Sequence, residues 1–220
     1  DSPTFNMAIP DQFRADVFIR EVKEKYLDAG KELPSMLTLQ LLNDHGAGER
    51  LEAGFGFHES YMSDNDLALG RVVEFLSHTP YWKNMVIVVT EDDAQGGQDH
   101  IDAHRSLLMV ISPYAKKNYV SHRHVSFGSI FKTFWNILGL PMLNQYDAGA
   151  SDLSDCFTGE ADFTPYNALP VDKRIFDPEK AMMPLDEKFD WKAVLESREL
   201  DDPEDMKRDM DKRTGKKDRD

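Results

Sequence analysis

The sequence predicts an α/β fold, a layered sheet with helices on both faces, and three observations predict it. Amphipathic stretches of helical period alternate with short apolar, β-branched runs. The clearest run, residues 85–90 (Met-Val-Ile-Val-Val-Thr), is apolar on both faces, as a strand inside a sheet is. Acidic and histidine-bearing clusters lie just after these runs or in the loops between them, and such sheets place their ligands at strand ends.

Taken in order, residues 11–29 read as a first helix. Phe13, Val17, Phe18, Val22 and Tyr26 recur at helical spacing with charges between them. Asp11 is its expected N-cap and Gly30 its expected stop. Ser35 to Leu42 reads as a buried strand running into Asn43-Asp44-His45-Gly46. Residues 49–62, with Gly54 and Gly56 and no clear period, read as a loop. A second helix is expected over 64–78, with Asp64 as its cap, followed by a turn at Thr79-Pro80-Tyr81-Trp82. Residues 85–90 are then the central strand, ending at Glu91-Asp92-Asp93. A polar loop over 94–104 precedes another strand at 107–112, stopped by Pro113. A third helix is expected from Ser126 to Leu138, with Gly139 as its stop.

The pattern decays from about residue 151, where prolines fall at 165, 170, 178 and 184. The expected organisation is an α/β domain over 1–150, a wrapping segment over 151–185 and a charged helical or disordered tail over 186–220. The opening Asp-Ser-Pro-Thr-Phe has no initiating Met and none of the regions of a signal peptide. It reads as a chain cut from something longer, so the fold is expected to be incomplete at its N-terminus.

The chain has 220 residues and a formal net charge of −14. An acidic surface repels nucleic acid and anionic membrane, and neither is an expected partner. The one cysteine, Cys156, excludes an internal disulfide. No apolar run approaches the ~20 residues of a membrane span.

Three clusters carry the chemistry: Asn43-Asp44-His45, Glu91-Asp92-Asp93, and the run from Asp99 through His100 and Asp102 to His104. One Asp at a strand end commonly caps the next turn and nothing more. Three clusters at equivalent ends bring carboxylates together, and their repulsion is resolved by a cation. Carboxylate oxygen with neutral imidazole suits zinc, manganese or iron. No thiolate lies nearby. His58 and His78 read as surface residues, and His122 and His124 as part of a basic loop.

The stretch from Asn43 to about Gly149 resembles the bacterial phosphoesterase family of phospholipase C-like and acid phosphatase-like enzymes. That family belongs to the alkaline-phosphatase-like superfamily. The resemblance rests on Asn43-Asp44-His45, the run from Asp64 to Arg71, Tyr81-Trp82-Lys83, Thr90 to Gln95, Asp99 to Arg105, and Leu138-Gly139-Leu140-Pro141. It covers about half of the chain, and the run from Thr90 to Arg105 is its specific part. The resemblance implies an alkaline-phosphatase-like fold and a site with one or two divalent metal ions. By it, Asp92 and Asp93 hold one metal, Asp44, His45 and His104 hold or neighbour the other, and His100 is an alternative ligand or a phosphate contact. The implied reaction is hydrolysis of a phosphoric ester, either a small molecule or a phospholipid head group, in the periplasm or at the cell surface.

In that superfamily the nucleophile lies early in the chain, and nothing in residues 1–34 resembles its segment. Ser2 and Thr4 are the only upstream serine and threonine and are poor candidates. The expectation is therefore a portion that carries metal ligands and no catalytic nucleophile. It either needs the missing N-terminal part or associates with itself. The competing reading is a binding or structural module that keeps the phosphatase-like fold without catalysis. A sulfatase is disfavoured, because Cys156 in Ser154-Asp155-Cys156-Phe157 is a poor match to the modified cysteine such enzymes use.

Overall fold

A computed structural model describes residues 5–92 and 104–183. It combines five α-helices with one two-stranded sheet among these residues. The helices are α1 (Asp11–Val22), α2 (Glu59–Ser77), α3 (Phe127–Leu138), α4 (Gln145–Gly149) and α5 (Pro178–Ala181). The strands are β1 (Ile87–Thr90) and β2 (Leu108–Ile111). The chain is thus mixed α and β. It groups into two compact units, the first from the N-terminal residues to Glu32 with Thr38–Phe75 and the chain from Tyr166, the second from Leu33–Leu37 and Leu76–Pro165.

In the first unit α1 follows Pro10, whose fixed φ suits a helix start, and it widens into a π turn over Lys23–Leu27. Gly30, with φ +62°, ends it as expected. The core here is Phe55, Tyr61 and Phe176, all fully buried. Phe55 stacks on Tyr61 with centroids 4.3 Å apart and packs on Phe176 at 5.1 Å. The Arg50 guanidinium lies over both the Phe55 and Tyr61 rings, and its Nε donates to the Tyr61 hydroxyl at 2.9 Å. Residues near 176 therefore wrap back onto a turn more than a hundred residues earlier, held by a β-bridge between Phe55 and Phe176.

In the second unit β1 and β2 pair antiparallel, with Ile87 opposite Ile111 and Thr90 opposite Leu108. Helix α3 has Ser126 as N-cap in a reciprocal capping box with Ser129 and ends at Gly139, whose φ of +67° is left-handed. Helix α4 folds back on α3. The Asp147 carboxylate accepts the Leu143 and Asn144 N–H groups and the Trp135 indole N–H at 3.0 Å, joining the two helices.

Four expectations are corrected. Residues 35–42 form no strand, and Met36, Leu37 and Leu39 are exposed. Among the described residues no strand lies hydrogen-bonded beside them, and an extended segment without a neighbour has no ladder to join. Residues 85–90 give a strand of four residues that is half-buried throughout, not a central one, because the described sheet has only two strands. The second helix starts at Glu59, so Asp64 lies inside it and does not cap it. Asp11 is the first residue of α1, and the cap of that helix comes from elsewhere. The tail over 186–220 lies outside the described residues.

Candidate functional site

The Asn43–His45 segment is a single 3₁₀ turn. It is closed by the His45 N–H on the Leu42 carbonyl at 3.2 Å and the Gly46 N–H on the Asn43 carbonyl at 3.0 Å. Gly46 has φ +72°, a conformation glycine adopts without strain, and a Cβ there would overlap the His58 imidazole. Asn43 is fully buried, Asp44 half-buried and His45 exposed. The His45 Nδ1 lies 3.4 Å from the Gly46 carbonyl oxygen, and the Phe5 ring meets His45 edge-on.

Beneath this turn is a buried polar cluster. The Asp64 carboxylate, projecting from α2, accepts the backbone N–H of Asp11 at 2.8 Å and of Gln12 at 3.2 Å. These are the first N–H groups of α1, so Asp64 is the cap that this helix lacks locally. Asp64 also accepts the Gln12 side-chain amide at 2.9 Å and the Asn43 side-chain amide. The Asp11 carboxylate in turn accepts the N–H groups of Leu42 at 3.1 Å and Asn43 at 2.9 Å, and the Asn65 amide at 3.1 Å. Arg14, also buried, donates to the Ile9 carbonyl at 2.6 Å and lies 3.4 Å from Asp11.

A carboxylate as deep as Asp64 is costly, and its titration reflects it. Burial pushes the Asp64 carboxyl up to about 6, and the negative charge of Asp11 adds to the push. The donors from Gln12, the Asp11 N–H and Asn43 favour the ionised form and oppose it. Burial also lowers the pKa of Arg14, while Asp11 and Asp64 hold it up.

The other site residues belong to the second unit. Asp92 follows β1 by two residues, and His104 precedes β2 by four. Because the strands are antiparallel, the end of β1 and the start of β2 share one end of the ladder. The Thr90 hydroxyl donates to the Leu107 carbonyl at 3.0 Å and the Ser106 hydroxyl to the Glu91 carbonyl at 3.2 Å, tying the two chains together just beyond the last pair. Asp92 and His104 are both exposed. Asp93 and His100 lie outside the described residues, as do Ser2 and Thr4.

The structure thus sets Asp44 beside His45 on one turn, and Asp92 with His104 at one end of one ladder. Their donor set, carboxylate oxygen and imidazole nitrogen, is of the kind that divalent metals accept. Among the described residues, no group of three or more His, Cys, Asp or Glu is assembled to hold a metal. Sequence reasoning missed two roles. His58 is exposed, as the sequence suggests, and its ring lies beside Gly46 of the Asn43–Gly46 turn. Asp11 and Asp64, read as caps of their own helices, serve the turn and each other's surroundings instead. A mid-helix Asp within the buried apolar stripe of Tyr61, Ala68 and Val72 was the one available signal. No helix among the described residues is long and apolar enough to cross a membrane. No protein-family model matches the chain, and no curated protein matches it.

Proposed function

We propose that this chain carries the metal-binding portion of a phosphoesterase of the alkaline-phosphatase-like superfamily, and that the nucleophile is not among its residues. The observation that carries the reading is the shared exit of Asp92 and His104 from one end of the β1–β2 ladder, within the stretch from Thr90 to Arg105 on which the resemblance mainly rests. In this reading the sheet is part of a larger layered one. Asp92 and Asp93 hold one divalent ion. Asp44, His45 and His104 hold or neighbour a second, and His100 is a ligand or a phosphate contact. Zinc or manganese fits the mixed set, and calcium its carboxylate oxygens. When bound, the metal supplies positive charge toward the oxygens of the transferring phosphoryl group. The chain's own contribution is to present carboxylate oxygens and imidazole nitrogens from a turn and a ladder end. The substrate is a phosphoric ester, a small molecule or a phospholipid head group, met in the periplasm or at the cell surface.

Calorimetric titration of the full chain with Mn²⁺ and with Zn²⁺ tests the reading. Saturable binding is expected, weakened at least ~10-fold in His104→Ala, the order of loss typical when a metal site is disturbed. Absence of binding to both ions would leave the alternative, a binding module that keeps the fold without the chemistry.

A further inference from the structure

We infer that Asp11 and Asp64 are positioning residues for the turn that presents Asp44 and His45, acting through Asn43. The inference rests on the phosphoesterase reading for what the turn does, and on the structure alone for how it is held.

Asn43 is gripped at two points by carboxylates from two different helices. Its backbone N–H donates to Asp11 at 2.9 Å, and its side-chain amide donates to Asp64. The Leu42 N–H donates to Asp11 as well, at 3.1 Å. Asp11, Asn43 and Asp64 are each fully buried. Capping α1 alone would need one acceptor, and Asp64 already provides it through the N–H groups of Asp11 and Gln12. A second buried carboxylate, turned toward Leu42 and Asn43, adds desolvation cost that the helix does not require. What it adds in return is a fixed origin for the next two residues. Ligands to a metal must be held to about half an ångström, and side chains on loops reach that only when hydrogen bonds lock their base. Gly46 and the His58 ring close the far side of the turn, so Asp44 and His45 lie between two anchored ends.

Asn43→Ala separates this role from folding. It removes the amide link to Asp64 and leaves the bonds from Asp64 to Asp11 and Gln12. Two readouts on the full chain decide the matter: amide hydrogen exchange, and Mn²⁺ affinity by calorimetry. A control, Phe176→Leu, lowers the stability of the same unit at a core position that makes no hydrogen bond to Asn43. In Asn43→Ala the His45 and Gly46 amides are expected to exchange about ten-fold faster, while those of Asp11 and Gln12 are unchanged. Mn²⁺ binding is expected to weaken about ten-fold, and Phe176→Leu to show neither effect. Unchanged exchange at His45 and Gly46 would overturn the inference. So would unchanged Mn²⁺ affinity, or the same losses in the control. If the wild-type chain bound no Mn²⁺, the phosphoesterase reading would fall, and exchange at His45 and Gly46 would still decide whether Asp64 holds the turn through Asn43.

Discussion

The Asp64 carboxylate on α2 accepts the backbone N–H of Asp11 at 2.8 Å, across 53 residues of sequence. One helix is thereby capped from the middle of another, and the same carboxylate binds the Asn43 side chain at the start of the candidate ligand turn.

This relationship makes stability depend on pH in a defined direction. The folded-state pKa of Asp64, about 6, lies above its ordinary value of 3.8, so the folded protein holds the proton more tightly. The stabilisation from this group is complete below about pH 4 and is lost as pH rises through about 6. The charged groups facing it are Asp11 and Arg14, with Gln12, Asn43 and Asn65 as neutral neighbours. Urea unfolding across that range should show wild type losing up to about 3 kcal/mol relative to Asp64→Asn. Parallel pH profiles for the two proteins would contradict it.

Gly46 meets two constraints, its positive φ and the adjacent His58 ring. Gly46→Ala should destabilise by about 1–3 kcal/mol. His58→Ala opens the space without relieving the φ, so the double variant should recover only part of the loss. Full recovery in the double variant would show that the backbone conformation costs nothing there.

Phe176 anchors the wrapping segment against Phe55. Phe176→Ala should cost about 3–5 kcal/mol in chemical denaturation. A change below about 1 kcal/mol would mean that residues around 176 do not hold the first unit together.

The structure leaves Met36, Leu37 and Leu39 at 43%, 47% and 37% exposure, and Ile137 and Leu143 at 56% and 73%. Apolar surface of this extent favours association. Light scattering should report mass rising with concentration, and less of it in the Leu37→Lys, Leu39→Lys double variant. A monomer at every concentration would refute this.

Local signals were legible in the sequence, and relationships across the chain were not. Helix α3 announced itself through Ser126, an apolar face and Gly139, all within about one dozen residues, and the structure agrees at both ends. The period of α1 was equally plain. The capping expectation fails because Asp11 is the first residue of α1 and Asp64 lies inside α2, and each bonds to a distant segment. Residues 35–42 have a strand's composition, but pairing depends on a neighbour that composition cannot supply. Of the candidate ligands, Asp92 and His104 lie at a ladder end as strand-end logic expects, whereas Asp44 and His45 sit on a turn that follows no strand, because residues 35–42 form none. The buried frame under Asn43 was not legible, since it joins residues near positions 11, 43 and 64 that only the fold brings together.

The most direct measurement is elemental analysis of divalent metal in the purified chain, wild type beside the Asp92→Ala, Asp93→Ala double variant. The phosphoesterase reading predicts about one or more ions retained per wild-type chain and their loss in the variant. A wild-type chain that retains no zinc, manganese or calcium, even after incubation with each, would contradict it.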